Sequence, residues 1–341
     1  MSLGRIAFLG SGETSLAGGR IFETLARLLP APLRIAILET PAGFELNSAQ
    51  VAGRVGDFLK MRLQNYRPII DIVPARRTES ANDPEAIKPL MQADMIFMGP
   101  GSPTYAIKHL KETLAWGVIR AKHRMGTTLV FASAATISIG AHAIPVYEIY
   151  KVGQDVHAVD GLDLFKDFGL HLSFVPHWNN AEGGGDLDTS RCFMGMDRFT
   201  QWCNLIPTEN TTLGLDEHTG IIMDFDAGVC EIMGVSSVSI VRNCDPVIHP
   251  AGMKFSLKEL GNIQIPNPLQ AGIAKHVWDL IQGSSETNDR VPPAEVVALA
   301  EERLSVRAEK NWSESDRLRD EISAQGWTVQ DGKDGYTLVK S

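Results

Sequence analysis

The fold of this chain is decided by a short stretch, Leu129-Val130-Phe131-Ala132-Ser133-Ala134-Ala135-Thr136, in which an apolar run ends abruptly in small residues around one serine. We interpret it as a buried strand, a tight turn that carries Ser133, and the start of a helix. Small neighbours are needed because the backbone doubles back sharply in such a turn. The serine oxygen then stands clear of the sheet, and the N–H of the next residue points to where an oxyanion would form. A buried strand that simply ends in alanine and serine is the alternative interpretation.

The residues before this stretch alternate between short apolar runs and amphipathic segments. The runs predict strands over residues 5–9, 34–38, 69–73 and 95–98, and the amphipathic segments predict helices over residues 19–29, 48–61, 84–91 and 104–114, with more helix through residue 123. Strands that alternate with helices imply an α/β fold with a doubly wound, mostly parallel sheet. Working residues lie at the carboxyl ends of the strands in such folds, where Gly12, Gly101 and Ser133 all occur.

The pattern changes after Ser133. Residues 171–177 predict a strand that runs into His177, and residues 212–224 and 230–242 predict antiparallel strands on one side of the sheet. Residues 270–282 are predicted to form a closing helix.

The last part of the chain is set off by a polar stretch without periodicity, residues 284–291, which we interpret as a linker. Beyond it, residues 293–325 predict two helices that are interrupted near Asn311, and Gly326 is well placed to end the second. We therefore expect an α/β domain over residues 1–283 and a small helical domain over residues 292–341.

Composition and charge limit the function classes. The 341 residues carry a net charge of -9, which argues against a protein whose main task is to bind a nucleic-acid backbone. The four cysteines form no CxxC pair, so we expect thiols in a reducing cytoplasm. No apolar run approaches the ~20 residues that span a bilayer, and the first apolar run is too short for a signal peptide. The prediction is a cytoplasmic protein without membrane contact.

A serine hydroxyl becomes a good nucleophile only when a base takes its proton. His177 is the candidate base, because it alone among nine histidines ends a convincing apolar run. We favour Glu148 as the carboxylate that orients the histidine. Three other carboxylates compete with it: Asp155, Asp160 and Asp163.

The oxyanion needs two N–H donors. Ala134 follows the serine and supplies one of them. The loop Gly99-Pro100-Gly101 ends the fourth strand, and because Pro100 has no N–H, the second donor there would be Gly101.

Two glycine-rich stretches have other interpretations. Residues 10–14 resemble half of a phosphate-binding loop, but they lack the third glycine and any Lys-Ser/Thr pair. Residues 182–188 lack the spacing of a calcium loop and favour a mobile lid beside His177. The sequence therefore predicts neither a cofactor nor a metal.

Five segments occur in the order seen in peptidase family S51, which includes dipeptidase E and cyanophycinase: Gly10-Ser11-Gly12-Glu13, Gly99-Pro100-Gly101-Ser102, Ala132-Ser133-Ala134-Ala135, Pro176-His177-Trp178 and Gly214-Leu215-Asp216-Glu217-His218-Thr219. The resemblance covers roughly residues 4 to 282 and implies a class I glutamine amidotransferase-like fold.

By this resemblance, Ser133 is the nucleophile, His177 the base and Glu148 the acid, with Gly101 in the oxyanion loop. The family's preference for aspartyl substrates implies a basic pocket. For substrate binding we name three residues: Arg191, Trp178 and Asn179. The family usually has Ser-Ala-Gly-Ala where this chain has Ser133-Ala134-Ala135-Thr136, and often has glycine at the position of Pro100.

The tail resembles the carboxyl-terminal segment of cysteinyl-tRNA synthetase over about fifty residues. The matching stretches are Glu301-Glu302-Arg303, Arg307-Ala308, Lys310-Asn311-Trp312, Ser315-Asp316-Arg317-Leu318-Arg319-Asp320, Gly326-Trp327-Thr328-Val329-Gln330-Asp331 and Asp334-Gly335. The nucleotide-binding signatures and zinc-binding cysteines of the synthetase are absent, so aminoacylation is excluded. Residues 290–341 hold eight Lys or Arg and ten Asp or Glu, which favours docking on the main domain or on a second subunit over tRNA contact.

The sequence thus predicts a serine hydrolase of the S51 type that cleaves a peptide or isopeptide bond in a small, peptide-like substrate. The alternative is a catalytically inactive S51-like binding or regulatory protein whose tail contacts tRNA or a protein partner. The sequence is also compatible with a homodimer.

Overall fold

The structure is a computed structural model, and it describes residues 2–285, 292–332 and 335–340. The chain divides into two compact units, Met1–Asp279 and Leu280–Ser341. Of the predicted linker, residues 284–285 end a helix, and residues 286–291 lie outside the described residues.

The described residues form sixteen strands. In chain order, β1 to β16 are Ile6–Leu9, Arg34–Leu38, Ile69–Val73, Met95–Met98, Thr128–Ala132, His142–Ala143, Val159–Asp160, Leu172–Val175, Thr211–Leu215, Thr219–Asp224, Val229–Gly234, Ser237–Arg242, Asp245–Pro250, Lys254–Ser256, Trp327–Gly332 and Gly335–Lys340.

Twelve α-helices accompany them in the same described ranges. In chain order, α1 to α12 are Leu16–Ala26, Ser48–Arg62, Thr78–Ala81, Lys88–Gln92, Pro103–Leu110, Leu114–Arg124, Ala134–Ser138, Val146–Tyr150, Gly195–Leu205, Lys275–Ser285, Ala294–Ala308 and Trp312–Ala324. Short 3-10 helices cover Thr40–Ala42, Gln64–Tyr66, Lys166–Phe168 and Leu257–Leu260.

The main sheet has eight strands in the order β14-β11-β10-β1-β5-β4-β2-β3. Strands β1 to β5 pair in parallel, and β10, β11 and β14 extend the sheet as antiparallel strands beyond β1. The predicted mostly parallel, doubly wound α/β fold is confirmed.

The helices predicted over residues 19–29 and 270–282 form as α1 and α10, with their ends shifted by three to five residues. Two further predictions differ more. The helix predicted from residue 104 to residue 114, with more helix through residue 123, forms as α5 and α6, and α5 ends before residue 114. The two helices are separate because Glu112 takes a left-handed conformation (φ 61°) and the Thr113 hydroxyl caps the start of α6. The predicted helix over residues 84–91 is shorter and shifted, and it forms as α4.

A second sheet has the order β13-β12-β9-β8. The prediction that residues 212–224 and 230–242 all lie beside the main sheet is therefore wrong for β9 and β12. The chain leaves one sheet for the other at the turn after Leu215, where the buried Asp216 carboxylate accepts hydrogen bonds from the Ser236 and Ser237 hydroxyls, both at 2.6 Å. These hydrogen bonds fix the turn. The periodicity of apolar residues along the sequence does not reveal a turn that is held by such side-chain contacts.

Aromatic rings pack the second sheet against the first. Phe8 on β1 stacks with Phe174 on β8 at a centroid distance of 4.1 Å and with Phe131 on β5 at 5.4 Å. Because successive side chains of a strand point to opposite faces, Ala7 and Leu9 face the other way, into a core with α1 and α2. Burial of both faces explains why these strands are apolar throughout.

The smaller unit packs α11 and α12 against the hairpin of β15 and β16. Its hydrophobic core cluster contains the buried residues Val296, Ala300, Ile322, Trp327 and Val329. The two predicted helices form, and Gly326 follows the second with φ 78°.

The cysteines correct one prediction. Cys203 and Cys244 form a disulfide, whereas Cys192 and Cys230 are free and buried. Tertiary structure brings the two paired cysteines together from α9 and from the turn between β12 and β13, so their spacing along the chain held no signal. None of the helices in the described parts of the chain combines the length and apolarity needed to cross a bilayer.

Candidate active site

Ser133 occupies a tight turn between β5 and α7, as predicted. Its backbone has φ 52° and ψ -117°, a conformation that L-residues rarely adopt and that costs about 1–3 kcal/mol. Parallel pairing of β5 with β1 places the turn beside the end of β1, and the Ser133 N–H donates to the Leu9 carbonyl at 3.3 Å. The strain is maintained by this packing, and strain of this kind clusters at functional sites.

His177 follows β8 and approaches Ser133 from the second sheet. Its backbone N–H donates to the Gly10 carbonyl at 3.2 Å, and its ring Nε2 lies 2.9 Å from the Ser133 Oγ. Gly10 must be glycine here, because a Cβ would lie 2.2 Å from the Asp216 carbonyl oxygen. The serine and the histidine named from the sequence are therefore in hydrogen-bond contact.

Glu217 is the third residue in the hydrogen-bonded series that begins with Ser133 and His177. Its Oε1 accepts hydrogen bonds from the His177 Nδ1 at 2.9 Å and from the Asn180 Nδ2 at 3.0 Å. The Glu217 N–H donates to the Asn179 Oδ1 at 2.8 Å, which fixes the backbone of the turn. Burial by itself raises the pKa of Glu217, but the hydrogen bonds from Asn180 and His177 outweigh it and hold the pKa below its usual value. The carboxylate is therefore ionised at neutral pH.

Glu148 does not occupy the position predicted for it. It lies on α8, where its Oε1 accepts from the Thr104 hydroxyl at 2.6 Å, and it makes no hydrogen bond to His177 among the described contacts. The assignment of Glu148 as the residue that orients His177 is wrong on this geometry. The signal for Glu217 was an acidic pair, Asp216-Glu217, between two apolar runs at a strand end.

The predicted oxyanion donors lie on adjoining loops. The Ala135 N–H donates to the Gly99 carbonyl at 3.3 Å, which holds the start of α7 against the loop that contains Gly101. Gly101 has φ 145°, and a Cβ there would lie 1.9 Å from the Pro41 carbonyl oxygen. Across the described residues, neither the Gly101 N–H nor the Ala134 N–H has a hydrogen-bond partner, so both are available to an incoming oxyanion.

The alanine at position 135 fits the turn. It is fully buried within α7, and its backbone is not among the residues with positive φ. A glycine is therefore not required at this position for conformational reasons.

The three residues named for substrate binding have structural contacts. Trp178 is 5% exposed and its ring lies 4.0 Å from the Arg191 guanidinium carbon. Arg191 also donates to the Trp178 carbonyl at 3.0 Å. Asn179 holds the Glu217 backbone, as described above. These contacts support the turn beside His177, and substrate contact by the three residues stays a prediction.

No cluster of three or more His, Cys, Asp or Glu side chains with metal-binding geometry occurs within the described ranges.

A likeness in fold is found with the crystal structure of a peptidase from an acI-B1 Actinobacterium. It covers 75% of this chain and 97% of that one, with a TM-score of 0.59 and 19% sequence identity. At this level of identity the likeness shows a shared fold. No family model matches the chain.

Curated cysteine–tRNA ligases match part of the sequence. The ligase of Pseudomonas fluorescens (strain Pf0-1) is 42% identical over 142 residues, which are 42% of this chain and 26% of the ligase. The ligase of Pseudomonas savastanoi pv. phaseolicola is 38% identical over 174 residues, which are 49% of this chain and 36% of the ligase. The chain thus spans about a quarter to a third of the length of these relatives. The resemblance to a peptidase thus has a counterpart in the Actinobacterium structure, and the resemblance to cysteinyl-tRNA synthetase has one in the ligase sequences.

Proposed function

We propose that the chain is a serine-type hydrolase that cleaves a peptide or amide bond in a small substrate. The observation that carries the proposal is the continuous hydrogen-bonded series from Ser133 through His177 to Glu217. A nucleophile, a base and a carboxylate that orients the base, all in hydrogen-bond contact, are the arrangement that acyl transfer needs.

The reaction follows from the positions of these groups. The Ser133 oxygen attacks the carbonyl carbon while its proton passes to the His177 Nε2, and the negative oxygen is bound by the N–H groups of Gly101 and Ala134. The C–N bond then breaks, and His177 gives the proton to the leaving amine. Water, deprotonated by the same histidine, releases the acyl group and restores the Ser133 hydroxyl. Glu217 stabilises the imidazolium that forms in each half-reaction.

Two observations outside the triad support the proposal. The fold is like that of a peptidase, and the motifs resemble those of peptidase family S51 in their order along the chain. The resemblance also suggests aspartyl substrates, which belong to the proposal together with the cytoplasmic localisation predicted from composition.

The test is hydrolysis of a dipeptide library by the purified full chain. We expect Ser133→Ala to abolish turnover and to leave the melting temperature unchanged, because the substitution removes one hydroxyl and keeps the backbone. Ser138→Ala is a matched control five residues further along, whose Oγ donates to the Ala135 carbonyl within the same helix. Equal turnover in wild type and Ser133→Ala would refute the mechanism.

The second candidate is a binding or regulatory protein whose C-terminal unit contacts tRNA or a protein partner, and the matches to cysteine–tRNA ligases favour it. Within the described part of that unit, however, arginines pair with neighbouring carboxylates: Arg303 and Arg307 with Asp331, Arg317 with Glu314 and Glu321, and Arg319 with Asp316. Paired arginines contribute less to phosphate binding, so protein docking ranks above tRNA contact.

A filter-binding titration of the full chain with tRNA at moderate salt tests this candidate. tRNA binding by the full chain that disappears on deletion after Ser285 would support an RNA contact through the tail. Binding that survives the deletion would place the contact elsewhere, and no binding by the full chain would leave protein docking as the proposal.

A further inference from the structure

A cavity of about 640 Å³ lies between the start of α5, helix α8 and the loop at Phe44. Its volume is that of an ordinary small-molecule site. Among its lining residues are two carboxylates, two lysines and three aromatic rings, which is the chemistry of a site for a charged small molecule.

The cavity is next to the candidate active site on two sides. Ser102, which lines it, follows Gly101 of the oxyanion loop. On the other side, Tyr150 of α8 packs against Phe193 at a centroid distance of 5.5 Å, and Phe193 lies 6.0 Å from the His177 ring. The cavity thus adjoins the oxyanion loop through Ser102, and helix α8, which forms its wall, is linked to His177 through the rings of Tyr150 and Phe193.

Glu148 is held in a fixed orientation at the wall of this cavity. Its Oε1 accepts from the Thr104 hydroxyl at 2.6 Å, and Thr104 in turn lies 3.0 Å from the Ser102 hydroxyl. The second oxygen, Oε2, is buried and has no hydrogen-bond partner among the described residues. A buried carboxylate oxygen without a donor is costly, and a ligand that supplies a charged N–H donor would remove that cost.

The surrounding rings favour a cation as that ligand. Tyr147 stands beside Glu148 on α8, and Phe44 and Tyr105 form an aromatic pair at 5.3 Å across the cavity. A protonated amine is attracted by such ring faces as well as by the carboxylate. The Lys151 Nζ already lies 5.0 Å from the centroid of the Tyr147 ring, so the Phe44 and Tyr105 rings are the ones left for a ligand. Of the two carboxylates that line the cavity, Glu148 is the one with a buried oxygen that lacks a donor among the described residues.

We propose that Glu148 binds a protonated amine of the substrate and so selects amine-bearing acyl groups for cleavage. The amine is an α-amino group or a basic side chain, and the experiment below separates the two. This inference rests on the proposed hydrolase function, and it gives the residue first assigned to the triad a role in specificity.

The experiment compares pairs of 4-nitroanilide substrates that differ in one amine. Alanyl against N-acetylalanyl 4-nitroanilide reports on the α-amino group, and N-acetyllysyl against N-acetylnorleucyl 4-nitroanilide reports on a side-chain amine. We expect the wild type to prefer the amine-bearing member of one pair by at least tenfold in kcat/KM. Glu148→Gln keeps the shape and the acceptor for Thr104, and we expect it to reduce that preference below threefold, chiefly through KM.

Glu209→Gln, at an exposed residue of the same unit, is the matched control and should keep the wild-type preference. A wild type without preference in either pair, or a preference that persists in Glu148→Gln, would overturn the inference.

A second readout separates this inference from the hydrolase proposal. If the wild type cleaves none of the four substrates, NMR titrations of Ser133→Ala with the four corresponding carboxamides measure binding alone. Tighter binding of an amine-bearing carboxamide that is lost in Ser133→Ala/Glu148→Gln would support the amine site even though the hydrolase proposal had failed. Equal affinities for both members of each pair would overturn the amine site.

Discussion

At the level of the residue, the hydrogen bond to the His177 Nδ1 distinguishes Glu217, which orients the histidine, from Glu148, which contacts Thr104 instead. Glu217 follows β9 and Glu148 lies on α8, and the resemblance to peptidase family S51 favoured Glu148. Only Glu217 reaches the His177 Nδ1, at 2.9 Å, because the crossing between the two sheets brings its turn beside β8. Ser133 and His177 were predictable because each ends an apolar run, whereas the position of Glu217 depends on a tertiary crossing.

Glu217→Gln should lower kcat by about three to four orders of magnitude, because an amide cannot stabilise the imidazolium and favours the wrong tautomer of His177. Steady-state kinetics on any hydrolysed peptide would measure this. Glu148→Gln is expected to act on KM and to spare most of kcat. A larger kcat loss in Glu148→Gln than in Glu217→Gln would reverse the two assignments.

The proposed oxyanion donors lie on two elements, the loop that contains Gly101 and the start of α7, and we expect these elements to respond differently to a change of one methyl group. Gly101→Ala should abolish turnover, because φ 145° is strained for alanine and the added Cβ would lie 1.9 Å from the Pro41 carbonyl oxygen. The loop must then move away from Ser133. Kinetics together with circular dichroism of the folded variant would check this outcome, and wild-type turnover in a folded Gly101→Ala would contradict it.

Ala135→Gly is the converse change and restores the residue usual in peptidase family S51. Because Ala135 sits within α7, we expect a loss of about 1 kcal/mol in the free energy of unfolding and a change in kcat/KM of less than threefold. Urea denaturation and steady-state kinetics measure the two quantities. A large gain in kcat/KM would mean that the alanine had impaired the site.

At the level of the whole molecule, the parallel half of the main sheet could be predicted from the sequence, because its strands alternate with helices and are apolar throughout. The second sheet could not, since residues 212–224 were predicted to lie together beside the main sheet, whereas the turn at Asp216 divides them into β9 and β10, which belong to different sheets. The disulfide between Cys203 and Cys244 was missed for a related reason, because contacts between distant elements leave no local pattern. The tail was predictable from its caps: Asn311 begins α12 and Gly326 follows its end.

The stability of the whole molecule should depend on His123, which is fully buried on α6 with its Nε2 2.8 Å from the Gly4 carbonyl oxygen. Burial lowers the pKa of His123 from 6.5 to about 4, so the folded chain holds it neutral. As pH falls from about 6.5 towards 4, the unfolded chain takes up a proton that the folded chain does not, and stability is lost by up to about 1.4 kcal/mol per pH unit, about 3 kcal/mol in total.

Urea denaturation of wild type and His123→Phe across this pH range measures the effect. The variant loses the hydrogen bond to Gly4, yet its free energy of unfolding should fall less steeply with decreasing pH. Parallel curves for the two proteins would contradict the assignment of a neutral, buried histidine.

Activation of the Ser133 nucleophile can be measured by reaction with a fluorophosphonate probe followed by peptide mass spectrometry. We expect one adduct per chain, located on Ser133, with a labelling rate that drops at least tenfold in Glu217→Gln and no adduct in Ser133→Ala. An unlabelled wild-type chain, or an adduct on another residue, would contradict the role of Ser133 as the nucleophile.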